Sequence, residues 1–204
     1  MMLSDLYDLI ISNIRSESPV EYVAVFFGLI SVLYERKGNI LVFPTGIISV
    51  LIYVYLCFHA RLYADMMING YYFIMSIYGW YFWLKKDKTN NYTPITWCDK
   101  SEIKKYFLIF AISFIVLYLL LKYFTDSDVA VVDALTTAIF VSGMVLMARK
   151  KIENWIAWII GDFIAIPLFF YKGLFLTSLQ FLVFFVLAIS GFYIWKKLLQ
   201  QQPV

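Results

Sequence analysis

The chain has 204 residues, of which 62% are hydrophobic, 20% aromatic and only 15% charged, with a mean hydropathy of +0.77. A soluble domain carries roughly a quarter charged residues, so a water-soluble globular protein is excluded: there is too little charge to cover its surface. The net charge of +3 is scattered in short clusters between apolar runs, not laid out as a basic face with interleaved aromatics, and gives nucleic acid no footprint.

Residues 1–18 contain Asp5 and Asp8 and no Lys or Arg before Arg15, unlike the basic leader of a signal peptide. They are expected to form an amphipathic segment lying on the membrane through Leu6, Leu9, Ile10 and Ile14. Seven apolar runs then approach the ~20 residues that cross a bilayer: about 19–35, 39–58, 63–84, 104–122, 131–148, 153–171 and 174–196. Ser18, Pro19 and Glu21 open the first with a cap, a proline at the first helical position and a capping-box acid. Glu35-Arg36-Lys37-Gly38-Asn39 and Arg149-Lys150-Lys151-Ile152-Glu153 are read as tight turns, and Lys85 to Lys105 as the longest loop.

With the N-terminus outside, 13 of the 17 basic residues fall on the inner side and 4 on the outer. The positive-inside rule therefore predicts N-out, C-in. An internal repeat refines the architecture. Tyr78-Gly79-Trp80-Tyr81-Phe82-Trp83 returns 112 residues later as Ser190-Gly191-Phe192-Tyr193-Ile194-Trp195, Leu62-Tyr63 matches Leu174-Phe175, and Glu21 matches Asp133. In the second run of each copy Asn39 and Gly46 match Asn154 and Gly161 at an offset of 115, which predicts a three-residue drift. Two parallel three-helix units require an odd number of spans between them, so the fourth run is the inverting linker. The expected protein is all-α and membrane-embedded, with seven transmembrane helices in a 3+1+3 parallel repeat, an architecture of transporters. The expected divisions are the segment 1–18, a first bundle 19–84, a loop with linker helix 85–130 (the helix at about 104–122), a second bundle 131–197 and a tail 198–204.

Asp162 lies near the middle of the sixth run, where an unpartnered carboxylate costs several kcal/mol and marks a functional candidate. Trp158 and Trp155 share its helix face at i−4 and i−7; a carboxylate beside aromatic faces suits a flat organic cation. Trp155, nearer the inner surface, is also read as an interfacial anchor. The third run carries a polar stripe through Asp65, Asn69, Tyr72 and Ser76, and the seventh answers with Thr177, Gln180 and Phe184; these suit a hydroxyl-bearing ligand or helix-to-helix hydrogen bonds. Pro44 and Pro167 are candidate hinges.

Enzyme chemistry has little to work with. The one histidine, His59, falls near an outer loop, so no histidine-based metal site or hydrolytic triad is expected at depth. The last run lacks the lysine a retinal Schiff base needs, and no phosphate-binding loop is present. Cys57 and Cys98 fall on opposite sides of the predicted membrane and are not expected to pair. No cofactor and no metal are expected.

Three stretches carry a family resemblance: Leu62-Tyr63-Ala64 leading into Tyr78-Gly79-Trp80-Tyr81-Phe82-Trp83; Met147-Ala148-Arg149-Lys150-Lys151-Ile152-Glu153-Asn154-Trp155; and Lys172-Gly173-Leu174-Phe175 running to Gly191. In this order they resemble the PnuC-type vitamin transporters. The resemblance implies uptake of an unphosphorylated vitamin across the bacterial inner membrane by facilitated diffusion, a fold similar to doubled SWEET sugar transporters, trapping by a cytoplasmic kinase and a homotrimer. The family's best-known members carry nicotinamide riboside and often have Asn where this chain has Asp162; related branches carry thiamine. Both ligands are flat cations. The expected site is Asp162 and Trp158 on the cationic ring, with Asn69, Tyr72, Ser76, Gln180, Phe184 and Trp155 around it. A proton-coupled transporter with Asp162 as proton carrier and a membrane receptor without transport are the alternatives.

Overall fold

The computed structural model describes residues 19–86, 92–125 and 128–201; the expected surface segment 1–18 lies outside them. Among the described residues the chain forms seven helices: α1 (Pro19–Arg36), α2 (Val42–His59), α3 (Tyr63–Leu84), α4 (Lys100–Phe124), α5 (Ala130–Ala148), α6 (Glu153–Tyr171) and α7 (Phe175–Gln200). Their bounds follow the apolar runs to within a few residues. The largest gain is at α4, where the Asp99 carboxylate accepts from the N–H groups of Ser101 and Glu102 while the Glu102 carboxylate accepts from that of Asp99. This capping box supplies partners for the free donors of the first turn and starts the helix at Lys100.

Five helices, α2, α4, α5, α6 and α7, are long and apolar enough to cross a membrane by length and composition. α1 and α3 are diluted by Glu21, Glu35 and Arg36 and by Asp65 and Asn69. α4 buries only Tyr106 and turns Phe107, Leu108, Ile112, Ile115, Val116 and Leu119 outward, an apolar surface that only lipid or another apolar face can cover.

α1, α2 and α3 pack one upon the next, as do α5, α6 and α7; the triplets meet where α1 lies against α7 and α3 against α5, while α4 packs on α5. Contacts recur between the triplets at a spacing of 112 residues. The left-handed turn residues pair as Gly38 with Lys150 and Arg61 with Gly173. The Phe43–Trp83 and Trp155–Trp195 rings meet edge to face at 5.0 and 5.6 Å. The Trp83 indole donates to the Met147 carbonyl at 3.2 Å and the Trp195 indole to the Glu35 carbonyl at 2.8 Å, each reaching into the opposite triplet. A Cβ on Gly79 would lie 2.5 Å from the Phe43 ring, and one on Gly191 would overlap that of Trp155. The recurring Gly-aromatic-Tyr-x-Trp pattern is thus a packing device: glycine lets a ring approach the backbone, and the tryptophan four residues on fastens the other triplet.

The expected three-residue drift in the second helix is absent. Because positions 38 and 150 turn alike, Phe43 corresponds to Trp155, and the matches of Asn39 with Asn154 and Gly46 with Gly161 join similar letters at non-equivalent positions.

The buried core gathers at one end of the bundle, where Val42, Phe43, Trp83, Met147, Ile152, Trp155 and Trp195 converge with Ile95 from the α3–α4 connection. The basic turns are at this end. The connection is tied down as Thr96 donates its N–H to the Lys150 carbonyl at 3.3 Å and accepts from that of Ile152 at 3.0 Å. Lys150 Nζ donates to the Thr93 carbonyl at 2.9 Å and stands 4.6 Å over the Trp83 ring, and Lys151 pairs with Glu102 at 2.6 Å.

Candidate functional site

Away from the core the triplets part around a cavity of about 810 Å³, within the range that holds a small organic molecule. Near the starts of α1 and α7 it is bordered by Glu21, Tyr22, Leu176 and Thr177; deeper it reaches Glu35 in the last turn of α1, Asp162 in α6 and Ala188 in α7. Of the expected site residues, Asp162, Trp158, Trp155, Asn69, Tyr72, Gln180 and Phe184 all line it.

The aromatic wall comes from glycines. In the second triplet Gly143 lets the Trp158 ring approach within 3.0 Å of where its Cβ would be, and Gly161 admits the Phe140 ring still more closely. Trp158 and Phe140 thereby stack toward each other at 6.0 Å, and Phe140 lies parallel to Phe181 at 5.7 Å. At the corresponding positions of the first triplet, Gly46 faces Ser31 and Gly28 faces Ser49. The serines donate to carbonyls across the helix pair, Ser31 to Val42 at 2.9 Å and Ser49 to Ala24 at 2.8 Å. One wall is flat and aromatic; the other is small and closely packed.

Two buried carboxylates face this space. Asp162 is 4% exposed and Glu35 5%, and neither belongs to the two ion pairs among the described residues, Lys151–Glu102 and Lys172–Asp133. The Trp158 indole donates to Glu35 Oε1 at 3.0 Å, so the ring one helical turn from Asp162 is held by the second acid. No Lys, Arg or His is among the lining residues described. Carboxylates at low exposure beside ring faces, with no basic residue, can hold a flat cation and oppose a phosphate.

Four expectations are corrected. Glu35 was assigned to a polar turn; it is in the last turn of α1, buried in the cavity, and the surrounding Arg36, Lys37 and Gly38 hid it in the sequence. Trp155 is not an interfacial anchor: it is 0% exposed, wedged between Trp195 and the bare backbone of Gly191. Pro44 is not an interior hinge, because it is the third residue of α2, where the N–H it lacks has no helical partner to lose. Pro167 does lie inside α6, and next to it the Ile166 carbonyl accepts from the Ser178 hydroxyl of α7 at 2.8 Å. Ser76 is buried but does not line the cavity. Asn69 lines it while its amide donates to the Asp65 carbonyl of its own helix at 2.9 Å.

The chain is similar to the nicotinamide riboside transporter PnuC of Escherichia coli (strain K12), 22% identical over 201 residues that cover 86% of this chain and 84% of the relative. It is 26% identical over 193 residues to that of Neisseria mucosa, with 88% and 72% covered. The crystal structure of the vitamin B3 transporter PnuC matches the fold with a TM-score of 0.72 at 22% identity, over 98% of this chain and 91% of that one. A family model described as nicotinamide mononucleotide transporter matches residues 18–197, nearly the whole helical region, and the chain accordingly belongs to this family of multi-pass membrane transporters.

Proposed function

We propose that this protein imports an unphosphorylated, positively charged vitamin, nicotinamide riboside, across the bacterial inner membrane. The observation that carries the reading is a single cavity with an aromatic wall, the buried acids Asp162 and Glu35, and no Lys, Arg or His in its described lining. A permanently charged pyridinium ring gains from both the ring faces and the acids, whereas the phosphate of a mononucleotide would be buried against like charge. The riboside named for the relatives fits this pattern, with its hydroxyls meeting Asn69, Tyr72 and Gln180. Thiamine is the second reading, favoured by Asp162 itself: a second cationic ligand of the same flatness would use the same acid.

In this reading all seven helices span the membrane, α1 and α3 crossing with their polar residues turned to the cavity, N-terminus out and C-terminus in. The triplets form a SWEET-like 3+1+3 parallel repeat, 19–84 and 131–197, with α4 as the inverting linker and, through its outward apolar face, the contact of a homotrimer. Transport runs by rocking of the triplets about the cavity, with the aromatic core at the basic end as the closed gate and Pro167 as the flexible point of α6. Uptake is downhill and a cytoplasmic kinase traps the product. The test is uptake into liposomes of purified protein, comparing labelled nicotinamide riboside, thiamine and nicotinamide mononucleotide. Saturable uptake of the riboside with rejection of the mononucleotide is expected. Preference for thiamine would move the assignment to the second reading, and binding without flux would make the protein a receptor.

A further inference from the structure

Two acids in one cavity present a charge problem that one monovalent ligand does not solve. When the cavity is empty, ionised Glu35 and Asp162 would leave two negative charges at low exposure with no cation to balance them, an arrangement that costs many kcal/mol. The groups facing them do not relieve it. α1 adds Glu21 and Tyr22, α2 adds Tyr53, α3 adds Tyr72, and α5 and α7 contribute Phe140, Thr177 and Gln180, none of them cationic. Arg36, next to Glu35 in sequence, neither lines the cavity nor enters an ion pair among the described residues. Glu35 accepts the Trp158 N–H, a bond either protonation state of the acid can keep.

We propose that the cavity takes up its cation in exchange for a proton held on the Glu35–Asp162 pair. The inference rests on the reading of the ligand as a permanent organic cation. As the ring settles between Trp158 and the acids, one carboxyl O–H breaks heterolytically, the electron pair stays on the carboxylate facing the ring, and the proton leaves to water at the cavity mouth. The ring nitrogen carries no proton, so the released one comes from the protein. Charge inside the cavity is unchanged by the exchange. A carrier of this kind equilibrates its vitamin when the pH is equal on both faces, as a simple facilitator does; a difference of one pH unit displaces the distribution tenfold, while membrane voltage leaves it unmoved.

The test is calorimetric titration of the detergent-purified full chain with nicotinamide riboside, and separately with thiamine, at pH 7 in buffers of different ionisation heat. About one proton released per cation bound is expected, with affinity rising up to tenfold per pH unit. Binding with no proton release and no pH dependence overturns the exchange while leaving the transport reading intact. Binding of neither vitamin overturns the transport reading and the exchange with it. Asp162→Asn and Glu35→Gln are expected to abolish proton release in whatever binding remains; release undiminished in both would overturn the assignment to this pair. The proton count on the unaltered chain decides the matter even if a variant fails to fold.

Discussion

The two triplets share a skeleton and differ in what they hang on it. At equivalent positions 112 residues apart, the first packs α1 on α2 through Gly28–Ser49 and Gly46–Ser31, while the second packs α5 on α6 through Phe140–Gly161 and Trp158–Gly143. In one half, serine hydroxyls fasten the helices; in the other, glycines admit large rings that double as the cavity wall. The acids are asymmetric too, since Glu35 corresponds to Met147 and Asp162 to Val50. The contacts that hold the triplets together, the two crossed indole bonds and the paired ring edges, are retained in both. Duplication preserved the frame, and the ligand chemistry lies in the departures from symmetry.

The comparison is broken most severely at the acid of the second half. Asp162→Ala is expected to weaken vitamin binding by more than tenfold, about 1.4 kcal/mol or more, in equilibrium binding; unchanged affinity would remove Asp162 from the site. Next come the shared glycines. Gly191→Ala and Gly79→Ala each force a methyl into a ring, and overpacking of this kind costs about 1–3 kcal/mol; both should lower the thermal midpoint, and by similar amounts if the halves are equivalent there. Glu35→Ala leaves the Trp158 indole without its acceptor and should weaken binding several-fold more than Glu35→Gln, whose amide oxygen still accepts; tryptophan fluorescence of the two variants reports the ring's release. Ser49→Ala and Ser31→Ala probe the first half alone, each worth about 0.6 kcal/mol for a hydrogen bond between membrane helices, read as unfolding midpoints.

The smallest effect is in the turn after α5. Burial pushes the Lys150 ammonium down to about 8, so the unfolded chain binds this proton more tightly than the folded one, and stability should rise as pH climbs from about 8 toward the ordinary lysine range. Lys150→Gln should remove that rise from the pH dependence of the thermal midpoint.

Much of the frame was legible in the sequence. Apolar run length placed the helices, because a bilayer-sized stretch of Leu, Ile, Val and Phe has few alternatives to a helix whose backbone groups bond internally. The repeat was visible wherever glycine and tryptophan are both required, at Gly79 with Trp83 and Gly191 with Trp195. Asp162 and Trp158 were legible as an acid and an aromatic one turn apart on an apolar helix. The repeat was misread in α2 and α6, where the halves have diverged and only the turn conformations at Gly38 and Lys150 fix the register.

The sequence by itself determined the solvent, the helices and the single acid that stands out against an apolar background. Only the tertiary structure decided that Glu35 belongs to the site and Ser76 does not, that Trp155 is core and not anchor, and that Phe140 joins the aromatic wall. Each of those assignments turns on what lies across from a side chain on another helix. A helix face is written in its own residues; its partner across a cavity is set by packing between segments 123 residues apart, as with Trp158 and Glu35.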